Sequence, residues 1–227
     1  MAGETSPNTP GPRGRLIVFE GLDRSGKSTQ CARLVDHLTA RNQKVKHMRF
    51  PNRSTVIGQM INNYLVGSSN QEDHAIHLLF SANRWEAADE IQQHVQAGTT
   101  VVIDRYYYSG CVYSAAKQNP TMDLAWCRHP EVGLPRPDLC LFLDISAEDA
   151  AQRGGFGSER YEKQEMQDRV RSLFKEMRTH PDEADDIVVV DAGKSVDEVA
   201  KIIERIVDDQ FSDRAAAAQP LRYINPW

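Results

Sequence analysis

Four short runs of the chain are apolar and β-branched with no polar alternation: Leu16 to Phe19, Thr100 to Ile103, Leu139 to Ile145 and Ile187 to Val190. Such runs suit strands covered on both faces, because a half-exposed strand alternates between apolar and polar. A weaker run, Val45 to Phe50, fits between the first two. Helical stretches separate them, most plainly Thr29 to Ala40, His74 to Val95, Tyr161 to Arg178 and Val196 to Asp209. Strands alternating with helices predict parallel βαβ units and an α/β, doubly wound sheet. Ser195 with Glu198 has capping-box spacing, and Ser146 with Asp149 repeats it with a shorter acid. Pro135 and Pro137 stop any helix ahead of the run at Leu139.

Length adds that 227 residues fill one sizeable domain with one core. With no repeat visible, the reading is a disordered tail over 1–14, rich in Pro, Gly, Ser and Thr, one domain over 15–212, and a C-terminal extension over 213–227. The first stretch has no apolar segment of signal-peptide type. No apolar run is long enough to span a membrane. A net charge of -5 argues against a dedicated nucleic-acid binder, which carries a basic face. Cys31, Cys111, Cys127 and Cys140 form no metal-binding pair. They read as reduced core thiols of an intracellular, cytoplasmic protein, with the nucleus also open to it.

The chemistry begins at Gly21-Leu22-Asp23-Arg24-Ser25-Gly26-Lys27-Ser28, a full match to G-x4-G-K-[ST] between a strand and a helix. The glycines let backbone N–H groups face phosphate oxygens, and the helix N-terminus adds positive charge. Lys27 would reach the β- and γ-phosphates and Ser28 would hold Mg²⁺. A GTPase switch would also need an N-K-x-D guanine motif, and none is present.

Four further segments follow in order: Phe50-Pro51-Asn52-Arg53, Leu79-Phe80-Ser81-Ala82-Asn83-Arg84, Asp104-Arg105-Tyr106, and Arg153 to Glu162 with its glycines. Together with the P-loop they make the chain resemble the thymidylate kinases of eukaryotic type, from about Arg15 to about Asp209. The resemblance implies a three-layer P-loop fold with a five-stranded parallel sheet, helices on both faces and a short mobile lid at about 153–160. It implies transfer of the ATP γ-phosphoryl group to thymidine monophosphate, with Mg²⁺ as cofactor.

The same resemblance distributes roles. Asp104, ending a strand, would face the P-loop and bind Mg²⁺ with Ser28; a helix-capping aspartate is the plainer alternative. Arg105 would clamp acceptor and donor phosphates. Arg53 would meet the acceptor phosphate, although a lone loop arginine is more often a solvated charge. Phe80 and Arg84 lie four apart, on one helix face; the ring would stack on thymine and the arginine would donate to a base carbonyl. Core packing explains Phe80 equally well on its own. Phe50, Ser109 and Gly110 would line that pocket, Asp23 would approach the sugar 3′-hydroxyl, and Tyr161 with Glu162 would close over the sugar. Tyr113, four after Ser109, would pack under the sugar and exclude a ribose, unless it is simply a core aromatic. On the donor side Gly21, Ser25, Gly26, Thr29 and Lys194 join Lys27 and Ser28. Some relatives supply a catalytic arginine from the lid. Here the lid interior has none, which places that role on Arg24, with Arg153 as helper.

His74 and His77 at helical spacing read as solvated, not metal-bound, and the acidic run Asp182 to Asp186 as a solvated loop. Thymidylate kinases generally pair through helices, so a homodimer is expected, with the stretch His74 to Val95 one candidate face. The competing readings are a kinase of this fold acting on another nucleotide or deoxynucleoside, and a nucleotide-binding regulator without turnover. The charged set Lys27, Arg53, Asp104 and Arg105 speaks against the regulator.

Overall fold

The computed structural model describes residues 12–153, 160–161, 164–212 and 219–227. Five parallel strands, β1 (Leu16–Gly21), β2 (Val45–Arg49), β3 (Thr100–Asp104), β4 (Leu139–Asp144) and β5 (Ile187–Asp191), lie in the order β2-β3-β1-β4-β5. The expected five-stranded parallel sheet is therefore present. Its central strands β1, β3 and β4 are almost wholly buried, which is why their sequences lack alternation. β2 and β5 are the edge strands, and both have mixed burial. The sequence of β2 shows this as a weaker run. The apolar run Ile187 to Val190, expected to be covered on both faces, is not, since among the described strands β5 pairs only with β4 and Val189 is 49% exposed.

The helices are α1 (Lys27–Ala40), α2 (Val56–Leu65), α3 (Asp73–Trp85), α4 (Ala88–Gln96), α5 (Tyr107–Ala115), α6 (Leu124–Arg128), α7 (Ala147–Gln152), α8 (Gln164–Thr179), α9 (Pro181–Ala184) and α10 (Val196–Ser212). A 3-10 turn, His129–Glu131, follows α6. The stretch expected as one helix from His74 to Val95 is two helices. The chain tightens where Ala87 N–H bonds the Arg84 carbonyl at 3.1 Å, with no glycine or proline to announce it. Of the helix expected from Tyr161, Tyr161 itself lies in a turn, and the described helix runs from Gln164. The N-terminus of α2 is capped by Thr55, whose hydroxyl accepts from Gly58 N–H. The Ser195–Glu198 box forms as its spacing implies, at 3.3 Å and 3.1 Å for its two reciprocal bonds.

Three further expectations need correction, and the C-terminal extension acquires a place. The stretch expected as tail takes part in the fold at its end: Arg13 makes two bonds to Asp138, at 2.8 and 2.7 Å, and Gly14 N–H bonds the Val95 carbonyl. His77 is fully buried between the Ser114 hydroxyl and the Cys127 carbonyl, both at 2.8 Å, because the α3 face it occupies packs on α5. Burial first, then the charge of Arg84, pulls its pKa down to about 4. The acidic run is not simply solvated. Glu183 is buried and accepts from Tyr107 and Arg128, while Asp186 pairs with Arg136 and Arg222. Finally, residues 221–227 dock on the domain: Gly133 N–H bonds Ile224, and Ile224 N–H bonds Leu134. The stretches 1–11 and 213–218 lie outside the described residues, as do Gly154 to Glu159 of the expected lid and Glu162.

Candidate active site

At the end of β1 the chain must turn tightly beside β4. A Cβ at Gly21, whose φ is +136°, would stand 2.5 Å from the Leu143 carbonyl oxygen, so only glycine fits. Gly26 (φ 93°) then caps α1. The buried Lys27 ammonium donates to the Leu22 carbonyl at 2.5 Å, the Gly21 carbonyl at 3.1 Å and Ser25 Oγ at 3.3 Å, bracing the loop from inside. Burial, reinforced by Arg105, pulls its pKa down to about 7.

Parallel register sets Phe19 against Asp104, so the carboxylate at the end of β3 reaches the first turn of α1. Ser28 Oγ donates to Asp104 Oδ2 at 2.5 Å, and Arg49 Nε lies 3.7 Å from the same carboxylate. Asp104 is 2% exposed and caps no helix, since α5 starts two residues beyond Arg105. Arg153 spans the mouth of the P-loop, donating to the Arg24 carbonyl at 3.1 Å and the Ala192 carbonyl at 2.5 Å. Arg24 sits half-buried with φ 66°. Thr29 is exposed on α1, and Lys194 is exposed beside Ala192, 3.4 Å from Asp191.

A cavity of about 260 Å³ opens next to this loop. Phe50, joined to Pro51 by a cis peptide, and Phe80 line it; Arg53, Arg84, Arg105, Ser109, Gly110, Tyr113 and Tyr161 also face it. Thus the acceptor residues expected from the sequence, Glu162 aside, converge on one space beside the P-loop.

Asp23 is the hinge between the two halves. Its carboxylate pairs with Arg105 and accepts from Tyr113 Oη at 3.0 Å and Gln167 Nε2 at 2.9 Å. Burial alone would raise its pKa, but Arg105 and then Lys27 outweigh burial and hold the carboxyl below its ordinary value. The Arg105 guanidinium also donates to Gly21 O at 3.3 Å and Ser109 Oγ at 3.1 Å, and lies 5.5 Å from the Tyr113 ring centre. The Ser109 hydroxyl donates in turn to Glu20 at 2.5 Å, so it backs Arg105 as well as facing the cavity. Glu20 is fully buried and accepts from Tyr106 N–H and Ser109 N–H at the start of α5. Burial raises its pKa, although each of these contacts opposes the rise.

Four participants were missed in the sequence: Glu20, Asn83, Glu131 and Gln167. Glu20 was visible as a charge at the end of an apolar strand. Asn83 holds the loop of Arg53, accepting from Asn52 N–H at 2.7 Å. Glu131 grips Arg84 and Gln167 grips Asp23 across 47 and 144 residues, separations that leave no local pattern.

The sequence model of the family described as thymidylate kinase matches residues 19–203. The chain belongs to the thymidylate kinase family. It is 46% identical to the thymidylate kinase of Homo sapiens over 209 residues, 92% of this chain and 96% of the human protein. It is also 46% identical to that of Arabidopsis thaliana over 202 residues, 89% of this chain and 74% of the plant protein. The solved thymidylate kinase of Candida albicans superposes with a TM-score of 0.83 at 38% identity, covering 94% of this chain and 99% of that one. As a member of the thymidylate kinase family the protein is a phosphotransferase, and no described helix is long and apolar enough to cross a membrane.

Proposed function

We propose that the protein transfers the γ-phosphoryl group of ATP to thymidine monophosphate in the synthesis of dTTP. The observation that carries this reading is the Asp23–Arg105–Tyr113 junction, which joins the phosphate loop to a cavity lined by Phe80 and Arg84. A kinase acting on another acceptor is not favoured, because the relatives matched over most of the chain are thymidylate kinases.

Phosphoryl transfer needs alignment and charge neutralisation more than covalent chemistry. In this reading the P-loop N–H groups of Gly21, Ser25, Gly26 and Ser28 hold the donor phosphates. Lys27 leaves the loop carbonyls to follow the γ-phosphate. Thr29 and Lys194 border the donor nucleotide. Arg24 neutralises charge at the transferring group, and Arg153, already held at the loop mouth, assists it. Arg105 bridges the two phosphates from its seat on Asp23 and Ser109. On the acceptor side Arg53 takes the phosphate, Phe50 and Phe80 flank the base, Arg84 donates to a base carbonyl across Gly110, and Tyr161, with Glu162, covers the sugar. Asp23 accepts from the 3′-hydroxyl, and Tyr113 leaves no room at the 2′ carbon.

The residues fit magnesium. Ser28 and Asp104 bring two hard oxygen donors together, and no group of three His, Cys, Asp or Glu side chains is gathered elsewhere among the described residues. Mg²⁺ suits such a sparse set, because it keeps several waters and takes its other ligands from substrate phosphates. When bound it would neutralise charge between the β- and γ-phosphates.

The four cysteines are buried free thiols, which supports an intracellular setting. A homodimer, with α3 contributing to its face, completes the reading; light scattering should give about twice the 25.6 kDa chain mass. The decisive experiment for function is ADP release across a panel of nucleoside monophosphates. Equal turnover of dTMP, dCMP and dGMP would defeat the assignment.

A further inference from the structure

Arg84 is 2% exposed, yet it lines the cavity. Its Nε donates to Glu131 Oε2 at 2.8 Å and its Nη2 to Glu131 Oε1 at 2.5 Å, a two-point grip on a fully buried carboxylate. Its Nη1 has no hydrogen-bond partner among the described residues. The guanidinium lies flat over Gly110, where a Cβ would come within 2.8 Å of Nη1. Glu131 itself is held from both sides. The preceding Pro130 carbonyl accepts from Ser81 and Trp85 of α3, and the following Gly133 and Leu134 pair with Ile224 of the docked C-terminal segment.

Two consequences follow from ordinary chemistry. With Nε and Nη2 held, the arginine offers the cavity a donor in one fixed direction, which can donate to a ring carbonyl and disfavours a ring amino group. With its charge compensated inside the protein, it is a neutral-pair donor. An uncompensated buried cation would instead compete with Arg53 and Arg105 for the acceptor's own phosphate. From this geometry we infer that Glu131 is the positioning residue that sets base selectivity, acting through Arg84. The inference rests on the proposed seat of the base against Arg84.

The test is steady-state kinetics with dTMP and dCMP on the full chain. Glu131→Gln keeps the shape and removes the charge. It should raise the dTMP KM about tenfold or more, leave kcat within about twofold, and lower the dTMP-over-dCMP ratio of kcat/KM to a similar extent. In an Arg84→Met background the same change should add less than about twofold, because the residue it acts through is gone. Unchanged KM and selectivity in folded Glu131→Gln, or a full effect persisting beside Met at position 84, overturns the inference. If Glu131→Gln shows no cooperative melt by circular dichroism, Glu131→Asp decides. Asp retains the charge and retracts it by one methylene, so it should raise the dTMP KM about threefold or more at preserved kcat; a wild-type KM overturns the inference. Failure of the underlying reading looks different: Arg84→Met alone would then have a wild-type dTMP KM.

Discussion

Gly110→Ala puts two opposing effects of known size at one helical position. Gly110 lies inside α5, where alanine is intrinsically favoured over glycine by about 1 kcal/mol. The added Cβ would stand 2.5 Å from Arg84 Nη2 and 2.8 Å from Cζ and Nη1. A guanidinium is normally able to swing away from such a contact. Here it is gripped twice by Glu131, and both partners are buried. Overpacking at a buried site of this kind costs roughly 1–3 kcal/mol. The net expectation is therefore a loss of about 0–2 kcal/mol after the propensity gain is subtracted. At roughly 2–4 °C per kcal/mol for a chain of this size, Tm should fall by up to about 8 °C. The dTMP KM should rise about tenfold, because the donor is pushed off its line, while kcat at saturation changes little. Differential scanning calorimetry and initial-rate kinetics on one preparation measure both. A variant stabilised by about 1 kcal/mol with an unaltered KM would show that Arg84 moves freely and that Gly110 is an ordinary helix residue.

Lys27→Ala should keep its fold and lose more than about nine-tenths of kcat, the equivalent of roughly 1.4 kcal/mol or more of barrier. The Lys27 pKa, pulled to about 7 from 10.5, makes the unfolded chain bind more protons between those values, so the ligand-free fold should gain stability as pH rises through that window. For the same reason ATP binding at pH 8 should take up a proton, seen by calorimetry in buffers of different ionisation enthalpy; no uptake would contradict the shift. Arg24→Ala should lower kcat strongly with little change in acceptor KM, and Arg153→Ala should lower it less; the reverse order would move the transition-state charge to Arg153. Tyr113→Ala should raise the ribose-to-deoxyribose ratio of kcat/KM by roughly 10- to 100-fold, the equivalent of about 1–3 kcal/mol for a hydroxyl no longer buried unpaired. An unchanged ratio with lowered Tm would mark Tyr113 as packing alone.

What the chain announced locally was what needs only neighbours to be specified. Buried parallel strands must be apolar on both faces, so β1, β3 and β4 stood out. Of the two edge strands, β2 showed its exposure as a fainter pattern, while β5 stayed apolar and its half-covered position came only from the sheet order. The P-loop was legible because its geometry demands glycines, a lysine and a hydroxyl in one short span. Arg53, Phe80, Arg84 and Arg105 were readable only through segments that match a family in order; their own spacing allowed a solvated charge or a core ring equally well.

Tertiary structure alone decided who touches whom. Arg84 has an aliphatic stem and a charge, and nothing local shows that it is buried on Glu131. Gln167 reaches Asp23 only because α8 packs on α5. His77 and Glu183 looked solvated because a polar residue's local sequence says nothing about partners brought from 50 residues away, Cys127 for the histidine and, 55 away, Arg128 for the glutamate. The apolar pattern records how much surface must be hidden, but a buried charge is tolerated only where the fold supplies its counter-charge or hydrogen bonds, and that pairing is written in the topology.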